Sequence, residues 1–186
     1  GLDYETLSTI NPGIIMCGTV GYGSDGPNTG QAVYDDLMQA ASGISGLFQA
    51  VDGAPRYAPI NICDRVVGLY LVIALTSALY HRAMLGQGQQ IEVPMFETMA
   101  QFVLADHMAG RTFEPSQGAM VYKRLLSRTR GPYKTKDGYI AIVVYLDKHW
   151  RAFCDLVGDP GKLDNDPRFS TQESRTQNAE IVGEYI

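Results

Sequence analysis

Residues 60–94 read INICDRVVGLYLVIALTSALYHRAMLGQGQQIEVP, and the fold follows from where regular structure can start and stop within them. A short apolar segment, Ile60 to Cys63, arrives at Asp64, and a long apolar helix is predicted from about Arg65 to Leu85. Gly86-Gln-Gly-Gln89 interrupts it, Gln90 to Val93 alternates in the manner of a strand, and Pro94 suits the first turn of a further helix to about Ala109. Upstream, Ile14 to Val20 is a continuous apolar run of strand length. The glycine-rich segment Gly21 to Pro27 after it cannot be regular structure and reads as a mobile loop over a site, with Tyr22 and Asp25 as candidate contacts. From Val33 to about Gly43 the pattern is helical with Leu37, Met38 and Ala41 inward; Gly43 and Gly46 close it before Leu47 to Val51, and Asp52-Gly53 turns the chain. Strand, helix, strand, helix predicts an α/β domain with a largely parallel sheet, whose sites collect at the carboxyl ends of strands. The loops at 21–30 and 61–65 are therefore the places to look.

The flanks extend this picture. Asp3 is placed to cap a short helix to Ile10, with Thr6 three residues on, and Asn11-Pro12-Gly13 ends it. Residues 1–110 are read as one domain, 111–130 as a polar linker carrying Lys123, Arg124, Arg128 and Arg130, and 131–186 as part of a second, smaller α+β unit. In that unit Lys136-Asp-Gly138 signals a hairpin between Tyr133-Lys-Thr135 and Tyr139 to Tyr145, and Asp147 is expected to cap a helix to about Val157. Asp164-Asn-Asp-Pro167 reads as a turn before a final helix. The chain opens at Gly1 without Met or a signal-peptide pattern and closes within an apparent helix, so it is expected to be a piece of a longer protein.

Composition narrows the function. With 45% hydrophobic and 19% charged residues, the 186-residue chain can bury a core, and a net charge of −5 with no run of basic residues leaves no footprint for nucleic acid. Three widely spaced cysteines, Cys17, Cys63 and Cys154, suit neither a disulfide framework nor a zinc site, so a reducing cytoplasm is the expected location. The most apolar stretch, Val66 to Tyr80, is fifteen residues, short of the roughly 20 that span a bilayer, so no membrane contact is expected. His81, His107 and His149 stand isolated, without metal-ligand or triad spacing, and none is assigned to catalysis.

Four features remain. Gly21-Tyr-Gly-Ser-Asp-Gly26 is a literal G-x-G-x-x-G with Asp52 downstream, which suggests a nucleotide-dependent oxidoreductase; Pro27-Asn-Thr-Gly30, however, breaks any helix that would carry the phosphates. Asp64 is either a plain helix cap or a nucleophile that is partly desolvated by its apolar surroundings while the helix dipole favours its charge. Cys63 beside it has no cation to activate it and reads as a small buried hydrophobe. Tyr34, next to Asp35 and Asp36, offers a ring face or a hydroxyl at a helix start.

Taken in order, Leu2-Asp-Tyr-Glu-Thr-Leu7, Asn11-Pro12, Gly21 to Pro27, Tyr34-Asp35 with Ala41-Ser-Gly43, Asp64, His81-Arg82, Gly86-Gln-Gly-Gln89 and Pro132 to Gly138 resemble the family III CoA-transferases, the CaiB/BaiF group that includes formyl-CoA transferases. The resemblance spans nearly the whole chain. It implies a partial Rossmann-like large domain with mostly parallel strands, and members about twice this length that form interlocked homodimers. It also implies Asp64 as catalytic nucleophile, with Tyr34 and Met95 lining the CoA or acyl site. Acyl-CoA and a small carboxylate are the implied substrates, with no metal or redox cofactor. Transfer runs through an aspartyl mixed anhydride and an aspartyl-CoA thioester, with an oxyanion that backbone amides of the glycine-rich loops can stabilise.

Two departures bear on the substrate. Some formyl-CoA transferases carry a CoA-contacting Lys where this chain has Ala32, and a triple-glycine loop that is absent between Arg111 and Arg130. The α-methylacyl-CoA racemases share the fold and use a His where Tyr34 stands; a phenol is too weak a base for that proton transfer at neutral pH, and Arg65-Val-Val-Gly68 replaces the racemase glycine run. A non-catalytic binding module of the same fold is the remaining alternative.

Overall fold

In a computed structural model all 186 residues are described, and they divide into two compact units, Gly1–His107 and Met108–Ile186. The first unit begins with helix α1 (Tyr4–Ile10), whose N-cap Asp3 accepts the Thr6 N–H at 2.8 Å as expected. Strand β1 (Ile15–Val20) follows, then helices α2 (Asp35–Ala41), α3 (Ile44–Asp52) and α4 (Ile62–Leu85), strand β2 (Gln89–Pro94) and helix α5 (Met95–His107). The strands pair in parallel from Ile15 opposite Gln89 to Val20 opposite Pro94, so the unit is mixed α/β with a parallel strand pair. Helix α4 runs back along this pair: near its end Arg82 donates to the Gly13 carbonyl just before β1, at 3.2 Å, while Cys63 in its first turn packs with Met95 just after β2. That direction puts the start of α4 at the carboxyl ends of the strands.

The core of this unit is Met38, Cys63, Val67, Val93, Met95 and Met99. Cys63 and Val67 are four residues apart and share one face of α4, which turns Leu69, Val72, Ile73, Tyr80 and Met84 outward, where they are exposed. Several expectations are corrected here. The helix predicted from Val33 to about Gly43 does end at Gly43, which adopts a left-handed φ of 95°, but Gly46 closes nothing: it lies inside α3, which begins at once at Ile44. Of the predicted inward residues of α2 only Met38 is buried; Leu37 and Ala41 face out and Gln39 faces in. At 24 residues α4 is long and apolar enough, by length and composition alone, to cross a membrane, which the count from Val66 to Tyr80 missed by omitting the first and last turns.

The second unit contains two 3-10 turns, Ala109–Thr112 across the start of the stretch read as a linker and Lys123–Leu126 within it. It continues with the hairpin β3 (Tyr133–Lys134) and β4 (Tyr139–Ile140), then helices α6 (Asp147–Val157), α7 (Lys162–Asn165), α8 (Gln172–Gln177) and α9 (Ala179–Tyr185). The hairpin forms at Lys136-Asp-Gly138 as predicted, but its second strand stops at Ile140 rather than Tyr145. Asp147 does not cap α6: Leu146 occupies that position, its N–H donating to His149 Nδ1 at 3.3 Å, and the Asp147 carboxylate instead pairs with the buried Arg175. Arg175 also donates to the Phe169 carbonyl at 2.6 Å, beside a core of Trp150, Cys154, Leu163, Phe169 and Val182.

Two tests follow from this packing. At Gly88 a Cβ would lie 1.8 Å from the Ile14 carbonyl oxygen, where only glycine lets the chain enter β2 beside β1. Gly88→Ala is expected to destabilise the first unit by about 2–3 kcal/mol. Urea unfolding followed by far-UV circular dichroism checks this; fluorescence of Trp150, the single tryptophan, reports only the second unit.

The cysteines provide the second test. Burial, with Asp35, Asp64 and Asp36 nearby, pushes the Cys63 thiol up to about 12, and burial also raises Cys154, whereas Cys17 is only partly buried. Titration of the folded chain with a disulfide reagent at pH 8 is expected to label Cys17 first and the other two only on unfolding; fast labelling of Cys63 would contradict the packing described.

Candidate active site

Asp64 lies within the first turn of α4, not ahead of it. The helix starts at Ile62, three residues earlier than predicted, with Asn61 at the N-cap and making no side-chain capping bond. The missing cap comes from a different helix. The Asp35 carboxylate, at the start of α2, accepts the Asp64 N–H through Oδ2 at 3.0 Å, satisfying one of the amides a helix start leaves unpaired. Its Oδ1 accepts Gln39 Nε2 at 2.6 Å, one turn along α2. Gln39, fully buried, also takes the Ala58 N–H on Oε1 at 2.8 Å and donates to the Ile60 carbonyl at 3.3 Å. One buried amide and one buried carboxylate thus hold the segment that leads into α4.

Because Cys63 and Val67 occupy the inward face of α4, Asp64 is rotated about 100° from the core and is exposed. The expected partial desolvation of its carboxylate is not found in this unit. Met95, the first residue of α5, sits in the core cluster with Cys63, so β2 delivers it next to the chain neighbour of Asp64. Tyr34 is the N-cap of α2 and is 73% exposed, its ring directed away from the packed interior while the next residue, Asp35, reaches Asp64. The structure therefore gathers residues 34–39, Asp64 and Met95 around one end of the strand pair.

The glycine-rich loop lies at the same end and is pinned rather than mobile. Gly23 N–H donates to Glu97 Oε1 at 3.1 Å and Ser24 N–H to Glu92 Oε1 at 2.8 Å. The Phe96 N–H donates to the Gly21 carbonyl at 2.9 Å, and the Tyr22 and Phe96 rings stand 5.4 Å apart. Thr29 Oγ1 closes the loop onto the Gly23 and Gly26 carbonyls at 2.7 and 2.8 Å. Two carboxylates therefore occupy amides that a dinucleotide-binding loop would turn to phosphate. The same engagement removes Gly23 and Ser24 as oxyanion donors.

Sequence reasoning named Asp35 beside Tyr34 without giving it a role, and assigned none to Gln39, Glu92 or Glu97. Only the four-residue spacing of Asp35 and Gln39 on α2 carried a local signal; the other two partners are brought in by strand pairing across about 70 residues of chain. No cluster of three or more His, Cys, Asp or Glu side chains is arranged to hold a metal ion. A cavity of about 460 Å³ opens in the second unit, lined by Arg124, Arg130, Tyr133, Trp150 and Arg175 among others, and includes none of the expected site residues.

Comparison with known proteins places this geometry. The chain is 30% identical, over its whole length, to a succinate–glutarate CoA-transferase of Agrobacterium fabrum, of which it covers 46%, and 30% identical over 98% of its length to an acetyl-CoA:oxalate CoA-transferase of Acetobacter aceti, of which it covers 47%. The crystal structure of a CaiB/BaiF family protein from Brucella suis matches 99% of the chain with a TM-score of 0.71 at 31% identity, and the chain covers 48% of that protein. A Mycobacterium tuberculosis structure matches all of it at 0.79 and 29% identity, with 49% of that chain covered. The chain thus spans about half the length of the curated relatives it matches. Since the model for CoA-transferase family III fits residues 1–186 without a break, and relatives and solved structures agree with it along the same length, the chain belongs to that family.

Proposed function

We propose that the full-length protein transfers CoA from an acyl-CoA to a carboxylic acid, with Asp64 as the nucleophile. The observation that carries this reading is a single exposed aspartate in the first turn of α4, at the carboxyl end of the strand pair, whose main chain is tied down by a buried partner. An exposed carboxylate on a fixed backbone can reach a thioester while the helix terminus favours its negative charge.

The Asp64 carboxylate attacks the thioester carbonyl of the donor, forming a mixed anhydride and releasing CoA thiolate. The thiolate then attacks the aspartyl carbonyl, expelling the donor acid and leaving an aspartyl-CoA thioester. The acceptor carboxylate attacks that thioester, re-forming an anhydride and freeing the thiolate, which finally takes the acceptor's acyl group and restores the Asp64 carboxylate. No proton or electron is gained or lost over the cycle, so the exchange calls for no redox cofactor, and a carboxylate nucleophile needs no metal to generate it. Each attack builds an oxyanion that needs donors other than the Gly23 and Ser24 amides, which Glu97 and Glu92 occupy.

Tyr34 and Met95 are assigned to the CoA or acyl site, Tyr34 from its exposed ring beside Asp35 and Met95 from its place against Cys63. The acyl-CoA and carboxylate substrates follow from the family and from relatives named for succinate, glutarate and oxalate transfer. Residues 1–107 are read as part of a Rossmann-like large domain and the second unit as part of the small one. We assign the uncovered apolar face of α4 to burial against the rest of the protein, so that it is a core helix and not a membrane span. An interlocked homodimer in the cytoplasm is the assembly we assign to the whole protein. The 186-residue piece alone is expected to be inactive.

In the full-length protein, Asp64→Ala is expected to lower transfer by about 10³-fold or more. Exposure of the wild type to acyl-CoA with hydroxylamine is expected to leave a hydroxamate on the peptide carrying Asp64. Undiminished transfer in the variant, or a hydroxamate on another carboxylate, would overturn the assignment.

A further inference from the structure

Asp35 has no part in the transfer steps above, yet it is a carboxylate only 9% exposed and adjacent in space to the backbone of the nucleophile. A buried carboxylate is costly unless its oxygens are paired, so its partners show what its burial achieves. One oxygen receives the Asp64 N–H and the other the amide of Gln39. Gln39 is fully buried, and its remaining capacity holds Ala58 N–H and the Ile60 carbonyl, the residues that lead the chain into α4.

An ordinary helix start is capped by a local side chain that accepts the amide two or three residues on. Here the local N-cap residue, Asn61, makes no such bond, and the acceptor for the third amide of α4 is supplied from 29 residues upstream. The register at which α4 begins, and with it the position of the Asp64 Cα, is therefore set by α2.

We infer that Asp35, held by Gln39, is a positioning residue for the reaction: it fixes the main chain of Asp64 so that its carboxylate meets the thioester in attacking geometry. This rests on the reading of Asp64 as nucleophile. Its effect should fall on the rate of attack and not on CoA affinity, because Asp35 is buried and holds the nucleophile's own backbone. A displacement of about 1 Å at a nucleophile is enough to cost on the order of 100-fold in rate.

The test uses the full-length enzyme with acyl-CoA and hydroxylamine, comparing wild type, Asp35→Ala and Asp35→Asn. Three readouts are taken: kcat, KM for the acyl-CoA, and the single-turnover rate of hydroxamate formation on the Asp64 peptide. Asp35→Ala is expected to lower both kcat and the labelling rate by roughly 10- to 100-fold while KM changes less than about threefold. Asp35→Asn keeps an oxygen for the Asp64 N–H but turns an amide toward the Gln39 amide, so it is expected to fall between wild type and Asp35→Ala in both rates.

Labelling of Asp64 in Asp35→Ala at a rate within twofold of wild type would overturn the inference while leaving the nucleophile in place. If Asp35→Ala does not fold, a labelling rate in Asp35→Asn within twofold of wild type overturns it on the same terms, as does a rise in KM with kcat unchanged. Absence of any hydroxamate on Asp64 in the wild type overturns both readings together.

Discussion

Parallel pairing of β1 with β2 obliges the intervening chain to leave the carboxyl end of one strand at Val20 and return to the amino end of the other at Gln89. Helix α4 makes most of that return, and its direction follows: its last turn lies beside Gly13 and its first turn beside Met95. Three separate pieces of sequence are thereby brought to one end of the strand pair: the glycine-rich loop after β1, the start of α4, and the start of α5 after β2. Close approach of the strands depends on Gly88, where a side chain would strike the Ile14 carbonyl. The pairing therefore comes before the site, because the residues that build the site have no local reason to meet.

Polar partners then decide how this end of the molecule is shaped. Glu92 and Glu97 draw the glycine-rich loop against β2 and α5 through Gly23 and Ser24, while Asp35 and Gln39 draw the start of α4 against α2. In each case a carboxylate takes backbone amides that would otherwise face water or a ligand. The two acids are left in opposite settings: Asp35 is buried and bonded, and Asp64, adjacent to Cys63 but rotated off the core face of α4, is exposed. Cys63 between them is kept protonated by burial and by those same carboxylates, so it competes neither as nucleophile nor as ligand.

Much of this was legible in the residues themselves. Asp3 with Thr6, the apolar run before Gly21, the hairpin at Lys136-Asp-Gly138 and the long helix through Val67 all rest on local rules of capping, turn chemistry and periodicity, and each appears in the structure. The misreadings share a cause. The helix at Asp64 starts early because its cap is 29 residues away, Asp147 leaves its capping position because Arg175 claims it, and the loop at Gly21 is fixed because two distant glutamates reach it. No window of sequence contains both partners of these bonds. The inward face of α2 was misjudged for a related reason: Gln39 is polar by type, and only the carboxylate and amide that satisfy it make its burial favourable.

The central claim is that CoA is exchanged through acyl bonds to Asp64, which leaves one oxygen of each acceptor carboxylate on that residue, and an isotope can follow it. When the full-length protein turns over with an acceptor acid labelled with heavy oxygen in its carboxylate, the described sequence of attacks leaves one acceptor oxygen on Asp64 in each cycle, and whichever Asp64 oxygen attacks a later donor leaves with that donor's acid. Mass spectrometry of the Asp64 peptide after turnover is predicted to show the heavy oxygen there, and the released donor acid to acquire it in later cycles. Continued transfer with no heavy oxygen in that peptide would contradict the account, since CoA would then be moving without a covalent bond to this aspartate.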